Sequence, residues 1–198
     1  IAVHDCWASY WNYADVPHAV CCAHLLRELT GIDENHPGQT WASAFIDLLM
    51  EMKKVKDKAV EKGRSALSYY HYHKFDKKYD ELLELARKEN PLPETTKTKR
   101  GRKKKGKILA LVERLADYKA SVCLFIHNFM VPFDNNQAER DLRMIKVKTK
   151  VSGCFRTEKG ARDYLKIMSY VGTAHKQGYN AYEAIRKAIS GHPDFIFE

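Results

Sequence analysis

The segment at residues 131–143 contains side-chain types that can bind a divalent cation and DNA phosphates. It reads Val-Pro-Phe-Asp-Asn-Asn-Gln-Ala-Glu-Arg-Asp-Leu-Arg. The proline predicts a chain break, and the Asx residues after it predict a helix cap near Asn136, which places Glu139 in the first helical turn. The face of this helix that carries Glu139 continues with Arg143, Lys146 and Lys150.

A carboxylate followed by a basic stripe suits the cutting of phosphodiesters. The acid would hold a divalent cation, and the basic side chains would hold backbone phosphates. The other reading of Glu139 is a capping box, in which Asn136 caps the helix and Glu139 reaches back to its amide. A second face of the helix is predicted to enter the core and consists of Ala138, Leu142, Ile145 and Thr149.

Asp5 is the second candidate carboxylate. It ends the apolar run that begins at Ile1, which predicts a buried strand with Asp5 held at the rim of a sheet. The other reading is an ordinary turn residue at the end of a strand. The two acids together indicate a metal site more strongly than either does alone.

The elements that would position these acids follow from apolar spacing. Strands are predicted over residues 1–5 and 19–22, with an aromatic stretch at 7–13 between them. A helix from His24, ended by Gly31 and the cluster at 33–38, is followed by helices over 40–62 and 65–90. One long helix is predicted to carry the apolar residues from Ile108 to Ile126. The last three helices are expected from near Asn136, over 157–176 and over 181–190.

The apolar stripes of the second and third helices name the core residues that we expect. For the helix over 40–62 they are Ala44, Leu48, Val55 and Ala59. For the helix over 65–90 they are Phe75, Tyr79, Leu82, Leu83 and Ala86.

Composition limits the class of protein. The 198 residues are 44% hydrophobic and 30% charged, and no apolar run reaches the roughly 18 residues of a membrane span. Five cysteines are an odd number, which favours a reducing cytoplasm over a disulfide framework. No signal peptide is recognisable, and the absence of an initiator Met suggests a truncated chain.

Nearly all of the net charge of +9 lies in one segment. Between Lys97 and Lys107 there are eight Lys or Arg and no acid. This segment is either a solvated linker or a flexible arm that contacts DNA phosphates without reading bases. The candidate contacts within it are Arg100, Arg102, Lys103, Lys104 and Lys105.

Two further groups of residues, a cluster of His and Cys and the three tryptophans, can each be interpreted in two ways. A zinc site is suggested by His18, Cys21, Cys22 and His24, but the spacing lacks a second well-formed ligand pair, so zinc is not favoured. Cys21 and Cys22 would point to opposite sides of a strand, which predicts that one of them is in the core. Trp7, Trp11 and Trp41 are expected in the core or an interface, with stacking on flipped or single-stranded bases as the alternative.

The motifs, taken together, resemble a known family. These are His4-Asp5-Cys6-Trp7 with Tyr10 and Tyr13, then residues 22–29 (Cys-Ala-His-Leu-Leu-Arg-Glu-Leu), then 134–140 (Asp-Asn-Asn-Gln-Ala-Glu-Arg), and then 152–156 (Ser-Gly-Cys-Phe-Arg). In this combination the chain resembles the bacterial insertion sequence sixty-six family of transposases, from residue 1 to about residue 190.

The resemblance implies a fold and a metal site. The fold would be RNase H-like α/β, truncated at its N-terminus, carrying a large helical insertion and mostly helical in this chain. Three acids of such a site, Asp, Asp and Glu, would bind two Mg²⁺ ions, with Mn²⁺ as a substitute. Asp5 matches the second acid and Glu139 the third, whereas the first would lie upstream of residue 1, so this chain alone is expected to be inactive.

The resemblance also implies partners and supporting residues. Double-stranded DNA, as transposon ends and target, is the expected partner, with Arg140, Arg143, Lys146 and Lys150 contacting it. Residues that would shape the site are Asp134, Asn135, Asn136 and His24. A homo-oligomer in the bacterial cytoplasm, associated with the nucleoid, is expected.

Domain organisation follows the same reading. Residues 1–35 would be the residual RNase H-like part, 36–130 the helical insertion with a basic linker at 94–106, and 131–198 the C-terminal catalytic helices. The leading functional hypothesis is DNA strand cleavage and strand transfer. A helical DNA-binding or assembly module without catalysis is the alternative, and a nuclease that cuts without joining would use the same site.

Overall fold

The structure is a computed structural model that describes residues 1–91 and 106–193. Most of these residues are helical, as expected. The chain divides into two compact units, Ile1–Asn135 and a second unit that begins at Asn136. The basic segment predicted over 94–106, with its five candidate DNA contacts, lies outside the described residues except for Gly106.

Two short strands begin the first unit. Strand β1 (Ala2–His4) pairs in parallel with β2 (His18–Val20), so that His4 is opposite Val20. Residues 5–17 connect them through a 3₁₀ helix, Ala8–Asn12. Both predicted strands are therefore present, but the second ends before Cys21. Because Cys22 begins the next helix, the two cysteines do not alternate across a strand, and both are buried, which corrects the expectation that one of them is.

Six helices follow among the described residues of the first unit. They are α1 (Cys22–Asn35), α2 (Thr40–Glu61), α3 (Tyr69–Glu89), α4 (Lys107–Asp117), α5 (Lys119–Val122) and α6 (Leu124–His127). Gly31 lies inside α1 and does not end it. After α2, Gly63 adopts a positive φ of 68°, a conformation that glycine adopts without steric cost.

The core of the first unit forms where α1, α2 and α3 pack together. Every apolar residue predicted for α3 is buried. For α2 the prediction was half correct, because Leu48 and Ala59 are buried, whereas Ala44 and Val55 are only partly so. The larger side chains of Trp41 and Phe45 occupy the core instead. Burying each such side chain contributes about 1.5–3 kcal/mol.

The single long helix predicted over residues 108–126 is wrong. Tyr118 (φ −108°, ψ 20°) leaves helical geometry, and a further interruption at Cys123 (φ −85°, ψ −2°) divides the segment into α4, α5 and α6. The Tyr118 ring stacks on Trp11 with centroids 3.9 Å apart. Apolar spacing continues across both breaks, which is why it did not indicate them.

The second unit contains α7 (Asn136–Ser152), α8 (Glu158–Lys176) and α9 (Ala181–Ile189), close to the predicted bounds. Thr157 caps α8 by accepting the amide of Gly160 at 3.0 Å. The prediction that one face of α7 enters a core was wrong. Ala138 and Leu142 are exposed, and no residue of α7 is buried.

None of the helices in the described part of the chain is sufficiently long and apolar to cross a membrane.

Candidate active site at the carboxyl end of the strands

Asp5 directly follows β1 and is half-buried, at the position predicted for it. Its Oδ1 accepts a hydrogen bond from the amide of Trp7 at 3.0 Å. A carboxylate has about four lone-pair positions, so the remaining ones, including those of Oδ2, are available to a cation. Asp5 therefore combines a fixed backbone position with an oxygen that can act as a ligand.

Residues 133–135 are anchored at the same edge of the sheet. The carbonyl of Phe133 accepts the amide of Cys22 at 3.0 Å, and the amide of Asn135 donates to Sγ of Cys21 at 3.2 Å. The amide of Cys21 in turn donates to the carbonyl of His4 at 2.8 Å. The carboxyl ends of parallel strands lie at one edge, so Asp5 and the segment with Asp134 share that edge.

Lys56 anchors the start of this segment. Its side chain is only 7% exposed, and its Nζ donates to the carbonyl of Val131 at 2.6 Å. The ammonium group also lies 5.9 Å from the ring centre of Phe125 and 5.8 Å from that of Phe129. Burial lowers the pKa of Lys56, since the charged form is less well solvated there.

Lys56 was not among the site residues predicted from the sequence. The signal was present, because Lys56 lies at core spacing between Met52 and Ala59 on α2. A lysine on an apolar stripe is expected to be buried with a specific acceptor, since an unpaired buried charge is costly.

A network of two histidines fixes the 3₁₀ segment beside Asp5. The buried His4 ring bonds through Nε2 to Nδ1 of His18 at 2.8 Å, and Nε2 of His18 donates to the carbonyl of Tyr13 at 2.9 Å. The His4 ring also stacks on Tyr10, with centroids 4.6 Å apart. These contacts restrain the chain that follows Asp5.

Three cysteines of the first unit have thiols that resist deprotonation. Burial raises the pKa of the thiols of Cys6 and Cys22, and it raises the pKa of Cys123 to about 12. A thiol binds metals as the thiolate, which these groups rarely form near neutral pH. Over residues 1–91 and 106–193, no group of three or more His, Cys, Asp or Glu could hold a metal ion.

Glu139 lies in the first turn of α7, as predicted, and is half-buried. Arg140, Arg143, Lys146 and Lys150 are exposed. Arg140 donates to the side chain of Gln137 at 2.8 Å. Asp141 forms an ion pair with Lys176, which lowers the pKa of its carboxyl. The basic stripe of α7 is exposed to solvent.

The other two residues that were predicted to shape the site lie at the starts of helices. His24 is half-buried in the first turn of α1, and Asn136 is the first residue of α7. The structure brings Asp5, Asp134 and Asn135 to one sheet edge. Convergence of Asp5 with Glu139 remains a prediction.

Comparison with known proteins gives a family match. The family model described as Transposase IS66 family matches residues 1–163, which includes β1, the anchored segment and all of α7. No curated protein and no solved structure matches the chain.

Proposed function

This chain belongs to the IS66 family of transposases, and we propose that it provides Asp5 and Glu139 to a site for metal-dependent DNA strand cleavage and strand transfer. The observation that supports this most directly is the anchoring of residues 133–135 beside Cys21 and Cys22. Glu139 follows Asn135 by only four residues in the chain. In the proposal, this anchor sets where Glu139 enters the RNase H-like site.

The donor atoms fit the metal that the family implies. Mg²⁺ prefers carboxylate oxygens and water, and both proposed ligands are carboxylates. Asp5 uses one oxygen in the bond to Trp7 and retains further lone pairs. Two bound Mg²⁺ ions would supply an activated water or 3′-hydroxyl and a stabilised leaving oxygen.

The chain's own residues then have separate tasks. Asp5 and Glu139 hold the metal ions, while Asp134, Asn135, Asn136 and His24 shape the site. The exposed Arg140, Arg143, Lys146 and Lys150 bind backbone phosphates of double-stranded DNA, at transposon ends and target. The basic residues at 100 and 102–105 add contacts of the same type. A homo-oligomer associated with the bacterial nucleoid is part of the proposal.

Mn²⁺ binding followed by NMR tests the pairing of the two acids. Paramagnetic Mn²⁺ broadens the amide signals of residues near it, so the method detects even weak binding. We expect signals from Trp7, Cys22, Asn135 and Glu139 to broaden together. Asp5→Asn and Glu139→Gln should each abolish this common broadening.

Matched controls exclude a general charge effect. Asp15→Asn removes an exposed acid from the same connection, and Glu158→Gln removes an acid from the first turn of α8. Neither should change the broadening. If Mn²⁺ broadens residues around Asp5 and around Glu139 independently, the two acids do not form one site. DNA binding that persists with both acids replaced, together with Mn²⁺ broadening that depends on neither acid, would favour the assembly module.

A further inference from the structure

The three tryptophans of the chain have different environments. Trp41 is fully buried in the core, and Trp11 is half-buried and stacks on Tyr118. Trp7, in contrast, is 65% exposed. Among the described residues its indole contributes little to the core, so packing there does not account for a large aromatic side chain at this position.

The backbone of Trp7 is nevertheless firmly held. Its amide donates to Asp5, and its carbonyl accepts the amide of Tyr10 at 3.1 Å. The Tyr10 ring stacks on the buried His4 and contacts the indole at a perpendicular angle, with centroids 6.0 Å apart. Trp7 is therefore an exposed ring on a restrained support, and ordering it on a ligand costs little conformational entropy.

Trp7 lies two residues after Asp5, which is one of the two proposed metal ligands. Two residues of extended chain span at most about 7 Å, so the Cα atoms of Asp5 and Trp7 are no further apart than this. Both side chains extend beyond their Cα atoms, and one DNA strand advances about 3.4 Å per nucleotide, so the indole lies within a few nucleotides of a strand at Asp5. A base inside a duplex is stacked on both faces, and only an unpaired or flipped base can offer a face to a protein ring.

We propose that the indole of Trp7 stacks on an unpaired DNA base within a few nucleotides of the phosphate that a metal ion at Asp5 would hold. This inference rests on the proposed function and adds a contact to the DNA substrate. Stacking is tolerant of sequence because each base has a π face. Trp7 would thereby hold a strand end in position without selecting its sequence.

The test compares affinities for two DNA duplexes that differ only in a short overhang. One overhang consists of unpaired thymidines and the other of abasic nucleotides. Base–aromatic stacking predicts that wild type prefers the thymidine overhang by roughly 5- to 150-fold. Trp7→Ala should bring the two affinities together, whereas Trp7→Phe should retain part of the preference. Both variants keep the amide that bonds to Asp5.

Tyr69→Ala is the matched control, because Tyr69 is 78% exposed on a different element of the same unit. It should leave the preference unchanged. A fluorescent base analogue in the overhang should be quenched by wild type and not by Trp7→Ala. An unchanged preference in Trp7→Ala would overturn the inference. The Mn²⁺ experiment tests metal binding by Asp5 and Glu139 and does not depend on base stacking. Failure of stacking is therefore distinguishable from failure of the proposed function.

Discussion

The ammonium group of Lys56 donates a hydrogen bond to the carbonyl of Val131, 75 residues further along the chain. Val131 begins the segment that continues to Asp134 and then to Glu139. One buried cation on α2 thus fixes the start of the segment whose residue types predicted a site for a divalent cation and DNA phosphates.

Replacing Lys56 by Met tests this anchor. Met has a similar apolar stem but cannot donate, so the buried carbonyl of Val131 loses its partner. We expect the free energy of unfolding to fall by about 1–3 kcal/mol, with amide shift changes at residues 133–135. Chemical denaturation and NMR measure these effects. Lys58→Met, at an exposed position on the same helix, should cost far less. Equal effects of the two variants would show that the bond has no specific role.

The bond between Asn135 and Cys21 makes a second prediction. Cys21→Ala removes the acceptor Sγ, whereas Cys21→Ser retains an acceptor at a similar position. We expect hydrogen exchange of the Asn135 amide to accelerate in Cys21→Ala and to remain closer to wild type in Cys21→Ser. Fast exchange at Asn135 in the wild-type chain would contradict the bond.

The loss of folding stability at alkaline pH should depend on Cys123. Its pKa is 9.0 in the unfolded chain and about 12 when folded, because burial disfavours the thiolate. A pKa that is raised on folding contributes stability that is fully present below pH 9.0 and is lost as the pH rises towards 12. The slope is at most about 1.4 kcal/mol per pH unit for one proton.

Denaturation between pH 9 and 12 measures this slope. In Cys123→Ala the loss of stability with rising pH should be shallower than in wild type, although the variant is less stable near neutral pH because a cavity remains. Cys154 is exposed, so Cys154→Ala should keep the wild-type slope. A slope that is identical in both variants would assign the loss of stability at alkaline pH to other groups.

The basic stripe of α7 should contribute to DNA affinity through counterion release. Replacing Arg143, Lys146 and Lys150 by Gln is expected to lower affinity and to reduce the slope of log affinity against log salt by about 0.9 for each phosphate that is no longer neutralised. Titration of a DNA duplex at several salt concentrations provides both values. The same change at Lys54, Lys58 and Lys62, which are exposed on α2 and directly after it, is the control. If that control reduces the slope equally, α7 is not a preferred phosphate-binding surface.

The second unit was well predicted where local chemistry decides the outcome. The start of α8 follows from the Thr157 cap and the start of α9 from Asn180, whose side chain accepts the amide of Glu183. Gly153 and Gly178 take positive φ values at the ends of α7 and α8. Such signals act within a few residues, so a sequence displays them directly.

Predictions failed where burial depends on other elements. The apolar spacing from Ile108 to Ile126 is compatible with one helix or with three, and the Trp11 ring that meets Tyr118 comes from a distant part of the chain. Ala138 and Leu142 have helical spacing, but spacing does not specify whether any element covers them, and both are exposed.

The sequence by itself determined the family, the bounds of α8 and α9, and the two carboxylates worth testing. Only the tertiary structure decided that residues 133–135 bond to Cys21 and Cys22, that Lys56 anchors Val131, and that Trp7 remains exposed while Trp41 is buried. The physical reason is the separation along the chain over which each interaction acts. Caps and turns depend on neighbouring residues, whereas an anchor between residues more than 70 positions apart forms only after the core has brought α2, β2 and the segment before α7 together.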